Sequence, residues 1–150
     1  MPYQLAQINI VEARYPLDDE RMKPFVDQLP KVNKDGENSP GFVWILKDET
    51  ETAVNFVLFD NPNILVNLTV WESVDALKNF IYKGDHLKAF IRRKEWFLPM
   101  KKSHLAMWWI PVGHIPTLDE AEQKLVQLWE EGPSAAVFTF RKVFPPPLES

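Results

Sequence analysis

Apolar and polar residues alternate over residues 5–11: Ala6, Ile8 and Ile10 fall on one side, Leu5, Gln7, Asn9 and Val11 on the other. This period of two predicts a strand with one apolar and one partly polar face. The spacing then becomes helical. Asp18, Asp19 and Glu20 supply the acidic residues that a helix N-terminus favours, and Phe25, Val26, Leu29 and Val32 form a stripe that runs to the breakers Asp35-Gly36 and Ser39-Pro40-Gly41. Pro24 and Pro30 leave two expectations for this helix, a late start near Met22 or a kink or interruption at Pro30. Residues 42–47 read as a strand and residues 53–59 as an irregular extended piece closed by Asn61-Pro62-Asn63. The cleanest alternation follows, with Ile64, Val66, Leu68 and Val70 on one face and Leu65, Asn67, Thr69 and Trp71 on the other. Ser73 caps a helix with Val74, Leu77 and Ile81 on one stripe; after a break or bend at Gly84 the pattern resumes through Leu87, Phe90 and Ile91 to Trp96-Phe97. Residues 104–110 form the fourth main strand, ended by Pro111, Gly113 and Pro116. Thr117 and Glu120 make a capping box for a helix that turns Leu118, Ala121, Leu125 and Leu128 inward and stops at Gly132-Pro133. Residues 136–143 read as a last strand, and Pro145, Pro146 and Pro147 as an extended tail.

The order β-α-β-β-α-β followed by α-β predicts an α+β fold, a ferredoxin-like antiparallel sheet with both helices of the split βαβ unit on one face. The other face needs cover. With only the last helix and strand to supply it, a second copy of the chain is the economical solution, so a homodimer is expected. One domain over residues 1–144 and a Pro-rich tail over residues 145–150 fit the length. Hydrophobic residues at 45% and charged residues at 25% are globular values. The longest apolar runs fall short of the ~20 residues of a membrane span. The absence of cysteine and of a secretory pattern at the start points to a cytoplasmic protein, and a net charge of -4 argues against a nucleic-acid partner.

If the apolar side of each strand packs on the two helices, Gln7, Asn9, Asn67, Thr69 and Trp71 collect on the opposite side. Buried amides cost free energy unless paired, so this set suggests a cavity with water or a ligand. The more polar set of the fourth strand, His104 and Trp108, is assigned to the same cavity, and Trp109 to the other side. If Asn67 and His104 point toward the helices, the proposed site collapses. The plainer reading is that these groups satisfy one another or the dimer partner. His114 reads as a turn residue and His86 as a helix contact. The histidine spacings fit no usual zinc pair, and neither a phosphate loop nor a nucleophile elbow is present.

The blocks AQINI, SPGFVW, LTVWESVDAL, FIYKGDH, EWF, MWWIPVGHIPT and EEGPSAAVFTF resemble an uncharacterised bacterial family, domain of unknown function 3291, over almost the whole chain. The resemblance implies a dimeric α/β barrel, a superfamily that includes antibiotic-biosynthesis-type monooxygenases and haem-dependent members. Asn67, Trp71, the Glu72-Ser73-Val74 helix start and His86 distantly resemble the strand-helix pattern of those monooxygenases. In cofactor-free members an electron-rich substrate loses a proton and its own carbanion or enolate reduces oxygen. By that resemblance Asn67 and the Trp71 N–H would donate to the oxyanion and His104 would accept the proton. Trp44 and Trp108 would sandwich an aromatic ring, with Gln7, Asn9 and Thr69 as further ligand contacts. No cofactor is expected on this reading, and the ligand is a small hydrophobic or aromatic molecule. The alternatives are a binding protein without turnover and a haem protein using His86, His104 or His114.

Overall fold

The computed structural model of the chain describes residues 3–47, 57–82 and 93–147. Its elements run β1 (Tyr3–Ala13), α1 (Lys23–Glu37), β2 (Phe42–Ile45), β3 (Ile64–Trp71), α2 (Val74–Ile81), α3 (Arg93–Trp96), β4 (Phe97–Leu98), β5 (Leu105–Pro111) and α4 (Leu118–Glu131). The main strands lie in the order β2-β3-β1-β5, and the short β4 pairs with the end of β1. Every pairing is antiparallel. With α1 between β1 and β2 and α2 after β3, this is the ferredoxin-like α+β arrangement.

The strand register sorts the side chains. β1 pairs Gln7 with Thr69, Asn9 with Asn67 and Leu5 with Trp71, so all five expected polar-face residues of β1 and β3 do share a face. That face, however, carries α1 and α2. Leu5 and Trp71 pack with Val74, Leu77, Phe80 and Ile81 of α2, and Ala13 packs with Met22, Phe25 and Val26 around the start of α1. The opposite, wholly apolar face (Ala6, Ile8, Ile10, Val66, Leu68, Val70, Ala106, Ile110) is covered by Ala121, Leu125 and Leu128 of α4. The expected arrangement is therefore inverted. The last helix buries the apolar side, and the polar row lies between the sheet and the two helices. The order of elements accounts for the division: α1 and α2 belong to the split βαβ unit and share one face, which leaves the other to α4.

Local chemistry sets several boundaries. Asp19 begins the chain's turn into α1 by accepting from the Arg21 N–H at 2.9 Å, in a short 3-10 turn over Glu20–Met22. α1 starts after Met22 and runs through Pro30 without interruption. Pro30 is exposed, so its ring lies on the solvent side of the helix. Nor does Gly36 end α1: it is buried, and a Cβ there would sit 3.3 Å from the Phe80 ring. At Gly41, with φ +83°, a Cβ would fall 2.5 Å from the Ala76 Cβ, which fixes how closely the turn before β2 approaches α2. The Ser73 cap is formed, its hydroxyl accepting from the Ala76 N–H at 3.1 Å. Leu58 and Asn61 close a tight turn in which Phe59 and Asp60 both have positive φ, and Leu58 drops into the apolar core. The expected resumption of the helix after Gly84 lies outside the described residues, apart from α3. Residues 136–143 form no regular strand: Phe138 makes a single two-bond bridge to Met107, and Thr139 and Lys142 close a turn.

Candidate functional site: a polar row between sheet and helices

The polar row runs obliquely across β1 and β3. Gln7, 2% exposed, donates from Nε2 to Asn67 Oδ1 at 2.7 Å and to Thr69 Oγ1 at 2.8 Å, and approaches the Asn67 main-chain oxygen at 3.2 Å. Thr69 Oγ1 also accepts from Trp71 Nε1 at 2.8 Å. Trp71 is 1% exposed, stacked on Phe80 with ring centroids 5.4 Å apart and edge-on to Phe42 at 5.5 Å. The plainer sequence reading is realised for this inner half: Gln7, Thr69 and Trp71 satisfy one another, and no buried side-chain nitrogen or oxygen among the described residues lacks a partner.

The outer half is different. Asn67 is exposed, and its Oδ1 is held by Gln7, so the two N–H bonds of Nδ2 point away from the row with no partner among the described residues. Asn9 stands directly across from it on β1, side-chain roots about 5 Å apart as in any antiparallel pair. Asn9 Oδ1 faces His104 Nδ1 at 3.1 Å, which leaves the Asn9 Nδ2 donors likewise uncommitted among the described residues. Because a carbonyl oxygen only accepts, the facing ring nitrogen carries the proton. In the neutral imidazole the basic nitrogen of His104 is therefore Nε2. Asn9 thus stands between Asn67 on one side and His104 on the other at the exposed end of the hydrogen-bonded row, amide donors and an imidazole of the kind that hold a polarised oxygen.

The face that carries the row lies under α1 and α2, so the open cavity expected opposite the helices is not formed; Asn67 and His104 lie at the exposed end of the row, and not all the expected residues are brought there. Trp108 pairs with Ala6, on the opposite face, and is 1% exposed in the apolar core; its Nε1 donates to Glu120 Oε2 at 2.9 Å. Trp44 packs against that same core. The proposed Trp44–Trp108 sandwich around a ligand beside Asn67 is therefore corrected: both indoles belong to the α4 side. The alternation of β5 was read with the wrong sign because Met107, paired with Gln7, is the less polar residue yet the one on the polar face. Trp109, paired with Leu5, takes that face instead, donating to the Phe144 carbonyl at 2.9 Å. The Trp71 N–H, spent on Thr69, is not presented to a ligand as drawn from the resemblance. Gln7 and Thr69, both buried, support Asn67 from behind. His104 reaches the row only because it precedes β5, at the sheet's end, where its ring can turn to Asn9.

The other half of the capping-box prediction also changes role. Thr117 Oγ1 accepts from the Glu120 N–H at 3.1 Å, but the Glu120 carboxylate does not return to the cap. Its two oxygens hold Trp108 Nε1 and, at 2.7 Å, His114 Nε2. Of the three candidate haem ligands, His114 is thus turned to Glu120 on the α4 side, His104 stands at the polar row, and His86 lies outside the described residues. Among the described residues no group of three or more His, Asp or Glu is placed to hold a metal ion, and no helix is long and apolar enough to cross a membrane.

Fold and polar row together define a ferredoxin-like α+β protein with a hydrogen-bonding row under its helix layer. The chain belongs to the family described as a domain of unknown function (DUF3291), which matches residues 4–150. No curated protein matches the sequence. Three solved structures show its range of likeness. SnoaB, a cofactor-independent oxygenase from Streptomyces nogalater, is 15% identical, with 79% of this chain and 98% of that one covered and a TM-score of 0.44. PA3566 from Pseudomonas aeruginosa is 9% identical over 77% and 98% of the two chains, TM-score 0.48. NE2512, a protein of unknown function from Nitrosomonas europaea, is 9% identical over 77% and 94%, TM-score 0.48. The fold assignment stands on the strand order and register of this chain and not on these likenesses.

Proposed function

We propose that this protein binds a small aromatic or quinol-like compound at the outer end of the polar row and oxidises it with molecular oxygen without a cofactor. The observation that carries the reading is the pair of opposed amides, Asn67 and Asn9, whose oxygens are held by Gln7 and His104 and whose N–H donors have no partner among the described residues. The keto oxygen of the substrate accepts from Asn67 Nδ2. His104 Nε2 takes a proton from the CH2 conjugated with that carbonyl across the ring, and the amide donors hold the resulting enolate oxygen. The electron-rich carbanion reduces oxygen, a C–O bond forms, and the peroxide O–O bond breaks with loss of water. The CH2 becomes a carbonyl and one oxygen atom leaves as water, so the substrate supplies all the electrons. The homodimer implied by the family resemblance belongs to this reading, and light scattering on the purified chain decides it.

The test is oxygen uptake by the purified protein with 1,8-dihydroxyanthrone. Uptake with formation of the matching quinone, lost in Asn67→Ala and His104→Ala, supports the reading. Binding without uptake, unchanged by His104→Ala, leaves instead a ligand-binding protein without turnover. That second reading is favoured by one feature, the internally satisfied inner row, which has no group left to move a proton.

A further inference from the structure

We propose that Gln7 is the positioning residue of the site: it touches no ligand, and it sets which end of the Asn67 amide the ligand meets. The inference rests on the reading of Asn67 as the ligand's donor. An asparagine side chain on an exposed strand position can turn its amide either way, presenting an acceptor or two donors to whatever lies in front of it. Here one orientation is selected by a chain of groups that begins at the main chain. The Asn67 carbonyl oxygen can only accept, and it lies 3.2 Å from Gln7 Nε2, so the nitrogen end of the Gln7 amide is the one that faces β3. That nitrogen then donates to Asn67 Oδ1 at 2.7 Å and to Thr69 Oγ1 at 2.8 Å.

Were the Asn67 amide reversed, its NH2 would meet the buried NH2 of Gln7, and two donors would confront each other with no acceptor between them. The register makes the contact unavoidable. Gln7 pairs with Thr69 and Asn9 with Asn67, which leaves Gln7 diagonal to Asn67 on the same face, within reach of its longer side chain. Thr69 braces the arrangement from the other side: its hydroxyl accepts from Gln7 and from the indole of Trp71, which is wedged between Phe42 and Phe80. Gln7 is 2% exposed and its two amide hydrogens are already committed, so it has no donor to offer a ligand. Its contribution is to make Asn67 a fixed donor.

Two variants test this on the full chain, each read by the side-chain amide signals of Asn67 in a 1H–15N spectrum and by the affinity for 1,8-dihydroxyanthrone. Gln7→Met keeps length and burial but removes the donor. The Asn67 amide should lose its order while the spectrum elsewhere is retained, and affinity should fall about tenfold. Gln7→Glu puts an acceptor in the same place. The Asn67 NH2 should turn inward and become protected from exchange with water, the opposite change from Gln7→Met, and binding of the anthrone should be lost. A merely structural glutamine would shift overall stability without moving the Asn67 signals in opposite directions. Unchanged Asn67 order and exchange in both variants overturns the proposal, and if Gln7→Met fails to fold, unaltered Asn67 exchange in Gln7→Glu overturns it alone. If the anthrone does not bind the wild-type protein while the Asn67 signals respond as stated, Gln7 positions Asn67 and the proposed ligand is what fails.

Discussion

Replacing Thr69 by valine removes one oxygen from the centre of the polar row and keeps the side chain's shape. Thr69 is 4% exposed and accepts from two donors that are themselves buried, Gln7 at 2% and Trp71 at 1%. Their fates differ. Gln7 Nε2 keeps Asn67 Oδ1 as a partner, so its loss is one ordinary hydrogen bond, about 0.5–1.5 kcal/mol. The Trp71 N–H has no second acceptor among its described contacts and is left buried without a partner, about 1–3 kcal/mol. Thr69→Val should therefore destabilise the protein by about 1.5–4.5 kcal/mol. Thr69→Ser, which keeps the hydroxyl and loses a methyl, should cost about 1 kcal/mol. Urea unfolding followed by tryptophan fluorescence measures both, and an unchanged slope against denaturant keeps the comparison valid. A cycle with Trp71→Phe isolates the orphaned donor. In that background Thr69→Val should cost about 1–3 kcal/mol less, since no indole N–H remains to be stranded. If Thr69→Val costs no more than Thr69→Ser, the row is not the buried network described here.

Other outcomes follow from the same contacts. Glu120→Ala strands the buried Trp108 N–H and should destabilise by about 1–3 kcal/mol, whereas Glu120→Gln retains an acceptor and should cost less in the same unfolding assay. Thr117→Ala removes the α4 cap and should cost about 1 kcal/mol in thermal unfolding. Gly41→Ala combines a left-handed backbone with a Cβ 2.5 Å from that of Ala76, and should cost about 2–4 kcal/mol. The Asp19 carboxyl accepts from the Arg21 side chain and backbone N–H, which hold its pKa at about 2 instead of 3.8. A depressed carboxyl favours the folded state above its unfolded value, and that contribution is lost as pH falls from about 4 to about 2. Carboxyl NMR titration should place the Asp19 midpoint near 2, and Arg21→Ala should return it toward 3.8.

Period-two alternation in β1 and β3 made the grouping of Gln7, Asn9, Asn67, Thr69 and Trp71 legible in the sequence, because register in a strand is binary and both strands alternate cleanly. Which helices lie over that group was not legible. Alternation defines two faces but not which helix takes which, and α2 and α4 both carry apolar stripes. β5 was misassigned for a related reason. With Trp108, Met107 and Trp109 adjacent, both of its faces are apolar, so polarity gave no sign and only the pairing of Met107 with Gln7 resolves it. Local signals fared according to how local they are. The Ser73 and Thr117 caps need only neighbouring residues and are formed as expected. The use made of the Glu120 carboxylate depends on Trp108 and His114 arriving from elsewhere in the chain. Gln7 was read as a ligand contact since its type fits one, and its burial behind Asn67 emerges only from tertiary structure.

The amide donors of Asn67, beside Asn9, are the proposed ligand site. Titrating the 15N-labelled protein with 1,8-dihydroxyanthrone and following the side-chain amides tests it most directly. The account predicts saturable shifts of the Asn67 and Asn9 Nδ2 signals, with the indole signal of Trp108, on the other face of the sheet, unmoved. Shifts confined to the Trp108 and Trp44 indoles, with Asn67 and Asn9 unchanged, would contradict it.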